Sequence, residues 1–201
     1  MGNYMRFGID VDGVLGNFGA SVITTANKLW PGKMAHNYVP DNWDYTDVLS
    51  PEDWSLVWDE IKHTPNFWLN ELPYTYSIRE LRRFINDEAE DADIFFITSR
   101  ATTIGASVLQ QTSQWLKQES LFPLDGRASV IPVADAKHKE AVCAALKITH
   151  FLDDYAPTVQ QLQTVEGLQT YVLDQPWNRY AAHLPRVFSV GEYLKRVEEG
   201  Q

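Results

Sequence analysis

The chain has 201 residues, 44% of them hydrophobic, with 27 acidic and 17 basic residues and a formal net charge of −10. That length accommodates one large domain or a core with a smaller companion, and the apolar content excludes an intrinsically disordered chain. The negative balance repels polyanions, and the basic clusters Arg79, Arg82, Arg83 and Lys137, His138, Lys139 are short, so no nucleic-acid polymer is expected as a partner. No apolar run reaches the roughly 18 residues of a membrane helix. No basic-then-apolar leader opens the chain, and the one cysteine, Cys143, cannot form an internal disulfide. A cytoplasmic protein is expected, with Cys143 as core filler.

The first apolar run, Tyr4 to Ile9, reads as a buried strand that stops at Asp10-Val11-Asp12-Gly13. Residues two apart on a strand share a face, so Asp10 and Asp12 crowd one volume and repel unless a proton, a cation or a bend intervenes. A helix is expected over 18–30, ended by Pro31-Gly32. Residues 33–49 are irregular. Ser50-Pro51-Glu52-Asp53 carries an N-cap, a proline in the first turn and two acids there, so a helix to about His63 follows. Five of the seven tryptophans fall between Trp30 and Trp68, which sets that stretch apart. Trp54 and Trp58, four apart on the helix, have the spacing of packing residues.

From Ser77 onward the pattern is regular. Ile78, Leu81, Phe84 and Ile85 have helical spacing, and Asp93–Ile97 is a strand ending at Thr98-Ser99-Arg100. A helix over 103–118, a strand over 130–133, a helix over 136–147 and a strand over 150–152 ending at Asp153-Asp154 follow in turn. Then come a helix over 157–165, a strand over 170–173, and a last helix opened by the capping-box spacing of Ser189 and Glu192. Alternation of this kind predicts an α/β fold, a Rossmann-like doubly wound parallel sheet with helices on both faces. Residues 1–16 and 75–201 form the core in this reading, and 17–74 a small helical cap inserted after the first strand.

Ligands of such sheets bind beyond the carboxyl ends of the strands. Asp10/Asp12, Thr98/Ser99 and Asp153/Asp154 each stand at one of those ends. Oxygen-rich sites of this kind suit Mg²⁺, which takes few carboxylates together with waters and a phosphate. A carboxylate can attack phosphorus, and a second acid can protonate a leaving group and then activate water. Hydroxyls at Thr98 and Ser99 can hold phosphoryl oxygens, and a lysine, Lys139 or Lys137, can neutralise developing charge. A calcium loop is excluded, because the third acid it needs is Val14 here. The histidines show no metal-ligand spacing.

The ordered set Asp10-Val11-Asp12-Gly13-Val14, Ile97-Thr98-Ser99, Lys139 and Phe151-Leu152-Asp153-Asp154 resembles the four motifs of the haloacid dehalogenase-like (HAD) phosphatases. The resemblance implies Asp10 as nucleophile and metal ligand, and Asp12 as general acid/base with its carbonyl on Mg²⁺. It implies Thr98 and Lys139 on the transferring phosphoryl group, and Asp153 and Asp154 on the metal. Within that superfamily the chain is similar to the phage and bacterial 5'(3')-deoxyribonucleotidases. Phe18, Asn66-Phe67-Trp68-Leu69 and Asp174-Gln175-Pro176-Trp177-Asn178-Arg179 carry this likeness, which implies Phe18, Phe67 and Trp68 beside the base. Tyr155 and Arg100 depart from the animal members, which often have Arg and have Pro there. Arg100 is expected near substrate. The function implied is a Mg²⁺-dependent nucleoside monophosphate phosphatase, a monomer or homodimer. The alternatives are a phosphatase for another small phosphometabolite or a DNA 3'-phosphate, and a non-catalytic nucleotide-binding protein on the same frame.

Overall fold

The computed structural model describes residues 5–87, 92–122 and 126–199. Tyr4, read above with the first strand, lies outside them, as do the outermost residues of the expected core. Among the described residues the sheet has six strands in the order β3-β2-β1-β4-β5-β6, every adjacent pair parallel. They are β1 (Met5–Ile9), β2 (Ala92–Thr98), β3 (Ala128–Pro132), β4 (His150–Asp153), β5 (Gln169–Leu173) and β6 (Arg186–Val187). The helices are α1 (Phe18–Leu29), α2 (Pro51–His63), α3 (Thr75–Asp87), α4 (Val108–Gln118), α5 (Lys139–Leu146), α6 (Ala156–Leu162) and α7 (Val190–Glu199).

The central strands are covered on both faces, which is why they read as continuous apolar runs. On β2, Ile94 and Phe96 join a cluster with α3, α4 and α7, while Phe95 and Ile97 join one with α5 and α6, where Cys143 is fully buried. Period-two alternation splits one strand between two cores. A further cluster is built almost entirely from residues 18–68, among them Phe18, Val22, Ile61 and Trp68. This stretch rejoins the sheet through two short extended segments. Asn17 donates its N–H to the Leu72 carbonyl at 2.7 Å, and Tyr74 donates to the Leu15 carbonyl at 2.7 Å.

Element boundaries follow local chemistry. At α2, Ser50 Oγ accepts from the Asp53 N–H and the Asp53 carboxylate accepts from the Ser50 N–H, a complete capping box. Two differences from the sequence expectation stand out. Helix α4 starts at Val108, not Thr103, because Ser107 and Gln110 form its capping box. Residues 103–107 are instead tied to the end of α2: Ile104 donates to the Lys62 carbonyl, and Ala106 to the Asn66 side chain. The two-residue β6, unforeseen in the sequence, is too short to carry a period.

Candidate active site

Strand order reverses beside β1, whose neighbours are β2 and β4. That switch point is where a crevice opens beyond the strand ends. Asp10 leaves β1 with its N–H on the Leu152 carbonyl at 2.9 Å, which sets it beside Asp153 at the end of β4. The Lys139 ammonium, at the first turn of α5, lies 3.0 Å from Asp10 Oδ2 and 2.7 Å from Asp153 Oδ2. The other oxygens of these two acids accept backbone N–H groups, Val11 on Asp10 and Tyr155 on Asp153, each at 2.8 Å. Lys137 points outward to Asp135, so the geometry selects Lys139 as the lysine at the carboxylates.

Asp154 Oδ2 accepts the Trp177 indole N–H at 2.9 Å, while its buried Oδ1 has no hydrogen-bond partner. Gly13 lies directly against this carboxylate. Its φ of +77° favours glycine, and a Cβ there would sit 2.1 Å from Asp154 Oδ2.

Asp12 answers to a different cation. The Arg100 guanidinium places Nε 3.0 Å from each Asp12 oxygen and Nη2 2.7 Å from Oδ1. Its Nη1 donates to Thr112 Oγ1 at 3.0 Å, and Nη2 also donates to Glu71 Oε2. Thr98 Oγ1 donates to Asp12 Oδ2 at 3.3 Å. The repulsion expected between Asp10 and Asp12 is thus met by two cations, one for each carboxylate.

The charges do not balance. Among the described residues five carboxylates are buried (Asp10, Asp12, Glu71, Asp153, Asp154) against two buried cations, Lys139 and Arg100. Burial pushes the Asp10 carboxyl up to about 7, with Lys139 opposing and Asp153 and Asp12 adding to the rise. Burial, then Asp153 and Asp10, hold Asp154 well above the usual carboxylate range. Glu71 is raised by burial and Asp12, against the pull of Arg100. Burial disfavours the Lys139 ammonium, but Asp10 and Asp153 more than compensate and raise it. A site left this negative fits a hard divalent cation. Asp10, Asp153 and Asp154 each offer an oxygen, all within 4.8 Å of one another, and Asp154 Oδ1 is free to bind.

Above the carboxylates lies a cleft of about 510 Å³, within the roughly 300–1,000 Å³ of small-molecule sites. Its aromatic wall is Phe18, Trp43, Trp58, Trp68 and Tyr155. Phe18 stacks on Trp43 and Trp68, with ring centroids 5.6 and 5.9 Å apart. Ser99, exposed at the end of β2, lines the same cleft.

The structure therefore gathers Asp10, Asp12, Ser99, Lys139, Asp153, Asp154, Phe18, Trp68 and Arg100 around one crevice, while Thr98 is fully buried and reaches it only through its hydrogen bond to Asp12. Phe67 is not among its lining residues. Its ring packs edge-on against Trp68, centroids 5.0 Å apart, and borders a separate groove between α1 and α2. Consecutive residues of a helical turn cannot face one pocket, and Trp68 takes the cleft side. Arg100 lines the cleft as expected, but its donors are engaged by protein groups. Glu71, Thr112 and Trp177 escaped sequence reasoning as site residues. Glu71 and Thr112 stand in no motif, and only the fold brings them to Arg100.

The family model for "5' nucleotidase, deoxy (pyrimidine), cytosolic type C" matches residues 4–197. No curated protein sequence matches. Solved structures share the fold at low identity. A haloacid dehalogenase-like family hydrolase from Streptococcus pneumoniae has TM-score 0.60 and 11% identity, covering 97% of this chain and 99% of that one. The L-2-haloacid dehalogenase of Xanthobacter autotrophicus, solved with chloropropionic acid covalently bound, has TM-score 0.56 and 12% identity, covering 96% and 98%. A HAD-superfamily hydrolase, subfamily IA, from Geobacter sulfurreducens has TM-score 0.54 and 14% identity, covering 96% of each chain.

Proposed function

The chain belongs to the cytosolic type C deoxy (pyrimidine) 5' nucleotidase family, a phosphatase of HAD-like fold, and on that premise we propose that it is a Mg²⁺-dependent hydrolase of deoxyribonucleoside monophosphates. The observation that carries this reading is the three-carboxylate cluster with Lys139 at the foot of an aromatic-walled cleft. Asp10, Asp153 and Asp154 would hold Mg²⁺, with the Asp12 carbonyl as the further ligand that the family resemblance implies. Bound there, the ion supplies charge neutralisation for the phosphoryl oxygens.

The protein's own groups divide the rest. Asp10 attacks phosphorus in line, and the bond from phosphorus to the nucleoside oxygen breaks. Asp12 delivers a proton to that leaving oxygen, so nucleoside departs neutral. Water then attacks the aspartyl-phosphate and loses its proton to Asp12, which releases phosphate and regenerates the Asp10 carboxylate. Lys139, already 3.0 Å from Asp10, pairs with the transferring group, Ser99 offers its hydroxyl to it, and Thr98, the phosphoryl ligand that the family resemblance implies, would have to release Asp12 to do the same. Phe18, Trp43 and Trp68 give the base a flat apolar surface and keep water from the reacting centre.

Among the described residues no helix is long and apolar enough to cross a membrane. The net charge of −10 and a cleft of this size favour a small nucleotide over a polymer. The test is phosphate release from deoxyribonucleoside and ribonucleoside monophosphates, sugar phosphates and a 3'-phosphorylated oligonucleotide, with Mg²⁺ and with EDTA. Mg²⁺-dependent turnover highest on a deoxyribonucleotide is expected. Equal turnover on sugar phosphates, or none on any ester, sinks the reading.

A further inference from the structure

Arg100 is a fully buried cation held by three separate parts of the chain. Asp12 comes from the turn after β1, Thr112 from α4, and Glu71 from the segment that returns residues 17–74 to the sheet. Trp68 covers the guanidinium, whose carbon lies 4.8 Å from the ring centroid. Glu71 is itself fixed: its carbonyl accepts the Trp115 indole N–H at 2.8 Å, and its carboxylate is packed so closely against Gly16 that a Cβ there would lie 2.5 Å away. A guanidinium has a rigid fork, so gripping both Asp12 oxygens fixes the plane of that carboxylate as well as its place.

We infer that Arg100, braced by Glu71, is a positioning residue for Asp12, setting that side chain where its protonated carboxyl can hand a proton to the leaving oxygen. The inference rests on the proposed role of Asp12. Arg100 acts through Asp12 and is not a phosphate ligand: Nε and Nη2 hold Asp12 and Glu71, and Nη1 holds Thr112. Because Glu71 lies on the return from the aromatic-walled segment, the position of Asp12 is tied to the seating of that segment over the cleft.

The experiment exploits leaving-group chemistry. A nucleoside alkoxide needs a proton to depart, whereas the phenolate of p-nitrophenyl phosphate leaves without one. The quantity compared is kcat/KM, which reports the first transfer to Asp10. Arg100→Gln is expected to lower kcat/KM about 100-fold on a deoxyribonucleoside monophosphate and less than tenfold on p-nitrophenyl phosphate, in line with the usual size of general-acid effects. In an Asp12→Asn background the same change is expected to cost nothing further on the nucleotide. Equal losses on both esters, or a further loss in that background, would overturn the inference and mark Arg100 as a phosphate ligand or a purely structural group. Should Arg100→Gln fail to fold, the double variant Arg100→Gln with Glu71→Gln removes the excess buried charge and carries the same comparison. If the unaltered protein hydrolyses the nucleotide yet none of these ratios moves, only the positioning inference falls. If it hydrolyses neither ester, the phosphatase reading falls first and takes the inference with it.

Discussion

Asp10 is buried with Lys139 on one oxygen and a backbone N–H on the other, and burial pushes its carboxyl up to about 7 against the pull of Lys139. The sign of the consequence for stability is set by the direction of that shift. The folded state holds the proton more tightly than the unfolded chain, so this group favours folding at low pH, and the contribution is lost as pH rises from about 4 to about 7. Asp10→Asn is therefore expected to abolish turnover and yet to melt higher than the parent in EDTA at pH 8, with the gap shrinking towards pH 5. Thermal melts at both pH values and a phosphate-release assay check this. Retention of activity within tenfold would rule out Asp10 as nucleophile. At Gly13, any side chain meets Asp154 Oδ2. Gly13→Ala is expected to weaken Mg²⁺ activation at least tenfold, read as the Mg²⁺ concentration for half-maximal rate.

In helix α2 the cap is expected to contribute less stability than the buried face. Ser50→Ala removes the acceptor for the Asp53 N–H and should cost about 1 kcal/mol, or roughly 2–4 °C in Tm. Val57 and Ile61, both fully buried, carry more: Ile61→Ala should cost about 2–5 kcal/mol. Differential scanning calorimetry separates the two, and a larger loss from Ser50→Ala would contradict the assignment. The segment before α4 carries the complementary lesson. Residues Thr103-Ile104-Gly105-Ala106-Ser107 are mostly weak helix formers, Gly105 takes a φ of +107°, Ser107 caps α4 and Asn66 captures the Ala106 N–H. Tertiary hydrogen bonds and local propensity agree there: the helix begins only where the capping box allows it.

Across the described residues, apolar clusters cover both faces of the sheet and another is built from residues 18–68, with the cleft where carboxylates and aromatic rings meet. Under the proposed function, phosphate and base recognition would lie on different parts of the chain and should separate by mutation. Trp43→Ala is expected to raise KM for a deoxyribonucleotide about tenfold while leaving inhibition by inorganic phosphate unchanged. Phe67→Leu, whose ring faces the other groove, should change KM less than twofold. Steady-state kinetics with phosphate as competitor decide both, and a matching rise in the phosphate inhibition constant would sink the division.

Much of this architecture was legible in the chain itself. Buried parallel strands announce themselves as apolar runs ending in polar residues, because every strand interior must be apolar on both faces and every ligand group must stand at an end. Asp10, Asp12, Thr98, Asp153 and Asp154 stood out as candidates for that reason, whereas Lys139, in the first turn of α5, was singled out by the family resemblance. Tertiary structure decided what pattern cannot encode: which cation faces which carboxylate. Arg100 reads as a polar residue following a strand, yet the fold closes it between Asp12 and Glu71, 29 residues away along the chain. Phe67 and Trp68 are adjacent in sequence, and only the pitch of their turn sends one ring to the cleft and the other behind it. Sequence determines periodic burial, which is local. Pairing of buried charges depends on distances between segments, and those exist only once the chain has folded.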